Sequence, residues 1–251
     1  MSVTTLRYLA WLGFVSAILA LILLALAPLG WRMGLWHFRT SFYRLMSSSA
    51  FLAAAAAVVS LAALVLGWSA IEAGDLALAG IGLVLGLVLA YVPWQYKRTL
   101  DTVPRIHDIT TDTANPPPFV AVMAARSAEA ASPAAYEGAE LARQQQAAYP
   151  DLAPIESGLA PGVAFDRALA AAEAMHGWRI VAKDTAAGRI EASETSRWFG
   201  FTDDIVIRVA AAGNGSRIDM RSLSRQGRSD FGVNAARIRS YMAAVKASLK
   251  S

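Results

Sequence analysis

Two short clusters in the C-terminal third of the chain hold residue types that can do chemistry. Asp203-Asp204 is a carboxylate pair, and Arg221-Ser-Leu-Ser-Arg225 sets two guanidinium groups beside the hydroxyls of Ser222 and Ser224. Arginine forks grip phosphate and carboxylate bidentately, so Arg221 and Arg225 could bind an anion or a lipid headgroup. A hydrolase or transferase acting on a small anion would draw on Asp203, Asp204, Arg221 and Ser224. The same residues also fit a lattice of Asp–Arg and Ser–backbone bonds that pins the loop at 226–232 to a sheet, and this structural alternative is favoured. Ser222 or Ser224 as a nucleophile needs a general base, and none is evident. The three histidines, His37, His107 and His176, are scattered, and no metal-ligand spacing, nucleophile elbow or phosphate loop occurs. The chain has no cysteine, which excludes disulfides and Cys-ligated zinc or iron–sulfur centres. No cofactor or metal is expected.

The clusters must be held by a sheet. Residues 178–183, 189–195, 202–210 and 216–225 alternate as strands, with Gly213-Asn-Gly215 as the tight turn between the last two. In the fourth strand Ile218 and Met220 face one side, and Arg217, Asp219, Arg221 and Arg225 the other. Residues 163–175 and 233–249 read as helices, and they are the cover for the apolar face. Ser229-Asp230 is expected to cap the last helix, and Gly227 and Gly232 to occupy unusual backbone conformations. The expected fold class is α+β, a helix–four-strand antiparallel meander–helix domain (helix-grip-like) over 161–251. Residues 101–160, with a β-prone piece at 106–111, a helix at 137–148 and repeated prolines, read as a linker or extended arm.

Composition divides the chain. Hydrophobic residues make up 55%, charged residues only 17%, and the mean hydropathy is +0.39, against about 25% charged residues in ordinary soluble proteins. Residues 9–27, 50–71 and 76–92 carry no charge at all, and a bilayer core needs about 20 such residues, with about 17 as the lower limit. Residues 1–100 are therefore expected to be a three-helix transmembrane anchor, with Gly80, Gly82 and Gly86 allowing close packing in the third span. Between the first two spans, Trp31, Leu35, Phe38, Phe42 and Leu45 fall at helical spacing, as an in-plane helix or a loop helix on the bundle would require.

The net charge of +4 lies wholly in the anchor, so residues 101–251 are formally neutral and a nucleic-acid partner is not expected. A local basic excess over 217–251 could attract anionic headgroups, although acids elsewhere in the domain offset it. Arg32, Arg39, Arg44, Lys97, Arg98 and Arg105 flank one side of the spans and only Arg7 the other, which by the positive-inside rule puts the soluble domain in the cytoplasm.

Two further stretches carry a resemblance. Trp198-Phe-Gly-Phe-Thr-Asp-Asp-Ile205 and Arg221-Ser-Leu-Ser-Arg-Gln-Gly-Arg-Ser-Asp-Phe-Gly-Val-Asn-Ala-Ala-Arg-Ile238 resemble the signature of the domain of unknown function 1499 family, across about residues 104–251. That signature adds Asn234 and Arg237 to the candidate residues. Ile106-His-Asp-Ile-Thr-Thr-Asp112 and Asn115-Pro-Pro-Pro-Phe119 are similar to its membrane-anchored proteobacterial branch. Other branches carry a cysteine near this point, and no role for it transfers here. The resemblance implies no reaction, but exported and lumenal relatives imply a periplasmic domain on a multi-pass bacterial inner-membrane protein, and this side is favoured over the cytoplasmic one that the charge count gives. The expected function is a non-catalytic binding module of the cell envelope, with membrane lipids or an envelope protein as partner. The anion-processing enzyme and a purely structural envelope protein are the alternatives.

Overall fold

A computed structural model describes residues 1–249, and the chain divides into two compact units, Met1–Thr99 and Leu100–Ser251.

In the first unit three helices are each long and apolar enough to cross a membrane: α1 (Val3–Arg32), the continuous helix Phe38–Gly67, and α4 (Ala73–Thr102). The second of these comprises α2 (Phe38–Thr40), a π-wound stretch Ser41–Met46 and α3 (Ser47–Gly67). The first and third run past both expected ends, whereas the second begins well before residue 50 and stops at Gly67, short of the expected 71. Helix α1 continues through Pro28 and α4 through Pro93; a proline removes one main-chain bond, and a helix that carries on past it keeps the other polar groups paired.

No separate helix occupies residues 29–49. Gly34 turns the chain in the left-handed region (φ 70°), and His37 Nδ1 accepts from Arg39 N at 3.2 Å to start the next helix. The aromatic stripe is thus shared between the end of α1, the turn and the next helix. Trp36 lies flat on Gly30, where a Cβ would sit 2.0 Å from its ring.

Small residues set the helix crossings. A Cβ on Gly13 would lie 2.2 Å from Ser60 Oγ, one on Gly82 2.9 Å from Phe14 N, and one on Gly86 2.7 Å from the Ala53 carbonyl. Gly80, expected to share this role, meets nothing within 4 Å.

The second unit is built on one antiparallel sheet in the order β1-β6-β5-β4-β3, with β2 also pairing β6. Its strands are β1 (Asp108–Thr110), β2 (Ile155–Ser157), β3 (Trp178–Asp184), β4 (Arg189–Thr195), β5 (Thr202–Ala212) and β6 (Gly215–Ser224). The meander and its two covering helices, α7 (Pro161–Ala174) and α8 (Val233–Ser248), fall where the sequence places them to within two residues. Ile190, Ile205, Ile207, Ile218 and Met220, none with any exposure, meet Phe165 and Ala168 of α7 and Ile238, Tyr241 and Val245 of α8. Each such side chain contributes about 1.5–3 kcal/mol. Tyr241 Oη donates to the Ala168 carbonyl at 2.9 Å and so ties the two helices together.

Of the two turn glycines between β5 and β6, only Gly213 has a positive φ (55°); Gly215 is required instead because a Cβ there would lie 2.0 Å from the Ser157 carbonyl.

The stretch 101–160 is built into this unit rather than appended to it. It supplies β1 and β2, α5 (Met123–Ala128) and α6 (Ala139–Ala148), and buries Ile106, Ile109, Phe119, Val122 and Ile155. Within it, residues 112–136 lie over the charged face of the sheet, so both faces are covered. A face that reads as solvated from its alternation is therefore interior, with Glu191, Asp204 and Asp219 at 0% exposure.

Candidate functional site

Strand pairing brings the two charged clusters together as the hairpin requires: Asp203 stands opposite Ser224, and Asp204 opposite Leu223. Because successive strand residues point to opposite faces, the carboxylate pair divides, Asp204 toward the segment 112–136 and Asp203 toward α8.

On the first face Asp204 is the centre. Arg225 grips it with Nε at 2.9 Å and Nη2 at 2.7 Å, Arg126 Nη1 donates at 2.8 Å, and Ser193 Oγ at 2.8 Å. Arg225 also pairs with Glu129, and Arg126 Nη2 donates to the Ser132 carbonyl at 2.6 Å. Asp204, Glu129, Arg126 and Arg225 together are neutral. The bonds to Asp204 hold the Arg225 guanidinium above its usual range, against the lowering effect of burial.

Arg221 was expected beside the aspartate pair and goes elsewhere. It takes Asp108 bidentately (2.8 and 2.7 Å), donates to the carbonyls of Pro117 and Ala134, and lies over the rings of Phe119 and Tyr136. The reason is register: β1 lies beside β6 with Thr110 opposite Arg221 and Asp108 opposite Leu223, so Asp108 is two residues along from Arg221's own partner and on the same face of the sheet. Burial, with Asp108 adding to it, pushes the Tyr136 phenol up to about 12.

Two further ionic groups complete this face. Arg208 and Arg217 converge on Asp219 and Asp112. Glu191 accepts from the backbone N–H groups of Val120, Ala121 and Val122, each at 3.0 Å, and so closes the N-terminal end of α5.

On the α8 face, Arg237 bridges Asp203 and Glu194, each at 2.7 Å, and its Nη1 donates to Ser222 Oγ at 3.0 Å. Burial lowers the Arg237 guanidinium, and the two carboxylates outweigh it, so the net shift is upward. Ser222 Oγ donates to Asn234 Oδ1 at 2.7 Å, while Asn234 Nδ2 donates to Ser224 Oγ at 3.1 Å and to the His107 carbonyl at 2.9 Å. The hydroxyls of the motif therefore join β6 to α8 and to the start of β1.

The loop ends in a local cap. Asp230 is not the residue adjoining α8, as the sequence suggested; that position is Gly232, left-handed at φ 82° after Phe231 at φ 57°. Two left-handed residues turn the chain back, so the Asp230 carboxylate reaches Gly232 N (2.9 Å) and Asn234 N (2.8 Å) from two residues upstream. Burial holds its pKa above the usual carboxylate value. Ser229 Oγ accepts from Phe231 N at 3.4 Å, and Gly227 is left-handed at φ 89°.

As a chemical device the arrangement is closed. The forks of Arg221 and Arg225, which an anion site would need free, are occupied by Asp108, Asp204, Glu129 and main-chain carbonyls, as in the favoured lattice reading, and both arginines are under 5% exposed. Among the described residues no three His, Asp or Glu gather as metal ligands. Sequence reasoning missed Asp108, Arg126, Glu129, Glu191 and Glu194. The readable signal was charge alternating in sign on neighbouring strands, as in Arg208 opposite Asp219.

A family model described as a protein of unknown function, DUF1499, matches residues 108–245. No curated protein and no solved structure matches the chain.

Proposed function

From the chain's membership of the DUF1499 family, which brings no reaction with it, we propose that this is a membrane protein whose second unit is a non-catalytic binding module of the bacterial cell envelope. The observation that carries the reading is the closure of the motif. Its charged residues are spent on one another and on fixing residues 112–136 to the sheet, which leaves the outer surface to meet a partner, a lipid or an envelope protein. The alternative enzyme would need Asp203, Asp204, Arg221 and Ser224 around one substrate; Asp203 and Asp204 face opposite sides of the sheet, and Arg221 is bound to Asp108. Extraction of the full chain into lipid-retaining discs tests the proposal. Reproducible enrichment of one lipid class or one protein over the bulk membrane is expected, and a composition equal to the bulk membrane would sink it.

The charge count and the family resemblance give opposite orientations in the inner membrane. The periplasmic side follows from exported relatives. The cytoplasmic side follows from the count of basic residues: Arg7 is the lone Lys or Arg at the far ends of the helices, while Arg32, Arg39, Arg44, Lys97, Arg98 and Arg105 flank the other ends. Fusion of alkaline phosphatase and of a cytoplasmic fluorescent reporter after the last residue separates the two.

A further inference from the structure

The chain enters its second unit at one end of the sheet. β1 pairs with the last residues of β6, and the β4–β5 connection at 196–201 and the β6–α8 connection at 225–232 lie at that same end. Main-chain bonds lace them together: Asp230 N to the Ile106 carbonyl at 3.1 Å, Arg225 N to the Thr202 carbonyl at 2.9 Å, and Ser224 N to the His107 carbonyl at 3.0 Å. The β5–β6 turn at Gly213-Asn214 is the opposite end.

The entry end has a distinctive surface. Arg105, Arg197 and Arg228 are exposed there, together with Trp198 (37% exposed) and Val233 (49%). Of the carboxylates at this end, Asp203 and Glu194 are taken by Arg237, Glu129 by Arg225 and Asp230 by two backbone amides, while Glu137, near His107, is exposed. Asp101, on the connecting helix end, is an exposed acid. Cations beside a tryptophan and a valine match the headgroup layer of a bilayer, where arginine meets phosphate and an amphipathic ring lies at the apolar boundary.

Chain length names the occupant. Helix α4 ends at Thr102, and Ile106 is already buried in the second unit with its carbonyl bound; four residues reach at most about 14 Å. Tyr91, Trp94, Lys97 and Arg98 mark the headgroup level of α4, and Arg98 is about one turn before its end at Thr102. The entry end is thus tethered within reach of lipid, whichever side of the membrane it faces.

We propose that this end of the domain docks, through Arg105, Arg197, Arg228, Trp198 and Val233, on the anionic headgroup surface of the membrane its own anchor crosses. The inference rests on the anchor reading above.

The absence of cysteine allows clean labelling of the full chain. A polarity-sensitive dye is placed on Val233→Cys or, as control, on Asn214→Cys, and each chain is reconstituted in phosphatidylcholine vesicles with or without phosphatidylglycerol. The Val233 label is expected to move to an apolar signal only with phosphatidylglycerol and to revert in high salt, while the Asn214 label stays in water. Arg105, Arg197 and Arg228 changed together to Glu should shift the docked-to-free ratio by at least about a hundredfold, at about fivefold for each arginine removed. A Val233 label that stays in water, in a chain that floats with the vesicles, overturns the docking proposal alone. A signal indifferent to both salt and charge reversal overturns it too. A chain that does not float with the vesicles overturns the anchor reading together with the proposal.

Discussion

Asp204→Asn is the sharpest perturbation of the ionic lattice. The wild-type carboxylate is fully buried and takes four hydrogen bonds, three of them from the guanidinium groups of Arg126 and Arg225. Asparagine keeps one acceptor oxygen and turns an NH2 group toward donors. Glu129 still serves Arg225, but Arg126 retains only the Ser132 carbonyl. Removing one partner of a buried ion pair costs about 3–5 kcal/mol, against a total of about 5–15 kcal/mol for a domain. At about 2–4 °C per kcal/mol for a unit of this size, the melting temperature should fall by about 6–20 °C.

Because the chain has two units, the readout must be local. Hydrogen exchange of peptides from 120–132 and 189–225, followed through a thermal ramp of the full chain in detergent, isolates the affected sheet. Changing Asp204→Leu, Arg126→Met and Arg225→Met together removes the buried charges and leaves only the half-exposed Glu129 to solvent; apolar replacement of a buried ionic group is commonly neutral or stabilising. Most of the loss should return, less about 1 kcal/mol for the Ser193 hydroxyl left without its acceptor. A melting temperature for Asp204→Asn equal to or above wild type would refute the structural role, since a carboxylate kept for chemistry is relieved by neutralisation.

Glu191→Gln leaves one acceptor for three backbone N–H groups and should cost about 2 kcal/mol; limited proteolysis is expected to cut within 113–138 sooner than in wild type, and an unchanged cleavage rate would contradict it. In the anchor, Gly82→Ala drives a Cβ to 2.5 Å from Ser60 Oγ and should lower the aggregation temperature in detergent, whereas Gly80→Ala, where a Cβ meets nothing, should not; equal effects would refute the crossing. Burial lowers the His107 pKa below the usual imidazole value of about 6.5, with Asp108 opposing it. The folded state therefore holds this imidazole neutral while the unfolded chain protonates first. Its contribution is complete above about pH 6.5 and is lost as pH falls through the folded value. His107→Gln should flatten the decline in melting temperature between about pH 7 and 5, and an unaltered slope would count against it.

The meander and its two helices were legible because their signals are local and periodic. Ile205, Ile207 and Val209 alternate, and α7 and α8 present apolar stripes. The three spans were legible from their lack of charge, although their ends were not, since a proline breaks a helix in water more readily than in lipid. The covering segment 112–136 escaped because its contacts are distant in sequence: Arg126 meets Asp204, 78 residues away, and Arg221 meets Asp108, 113 residues away. Proline and alanine in that segment signal neither period, so nothing local announced that it would bury the charged face. Asp230 shows a subtler limit. Its capping role was readable, but the two left-handed residues that displace it from the helix start depend on Phe231 adopting a conformation that non-glycine residues seldom take.

The closure of the charge lattice to solvent is open to direct chemical measurement. Phenylglyoxal modifies accessible guanidinium groups, and mass spectrometry of the folded chain in detergent reports each site. Arg126, Arg221, Arg225 and Arg237, all under 8% exposed, should stay unmodified while Arg105, Arg197 and Arg228 react. Modification of Arg221 or Arg225 at the rate of the exposed arginines, with the domain still folded, would mean that these forks are open to a ligand, and would contradict their assignment to the fold.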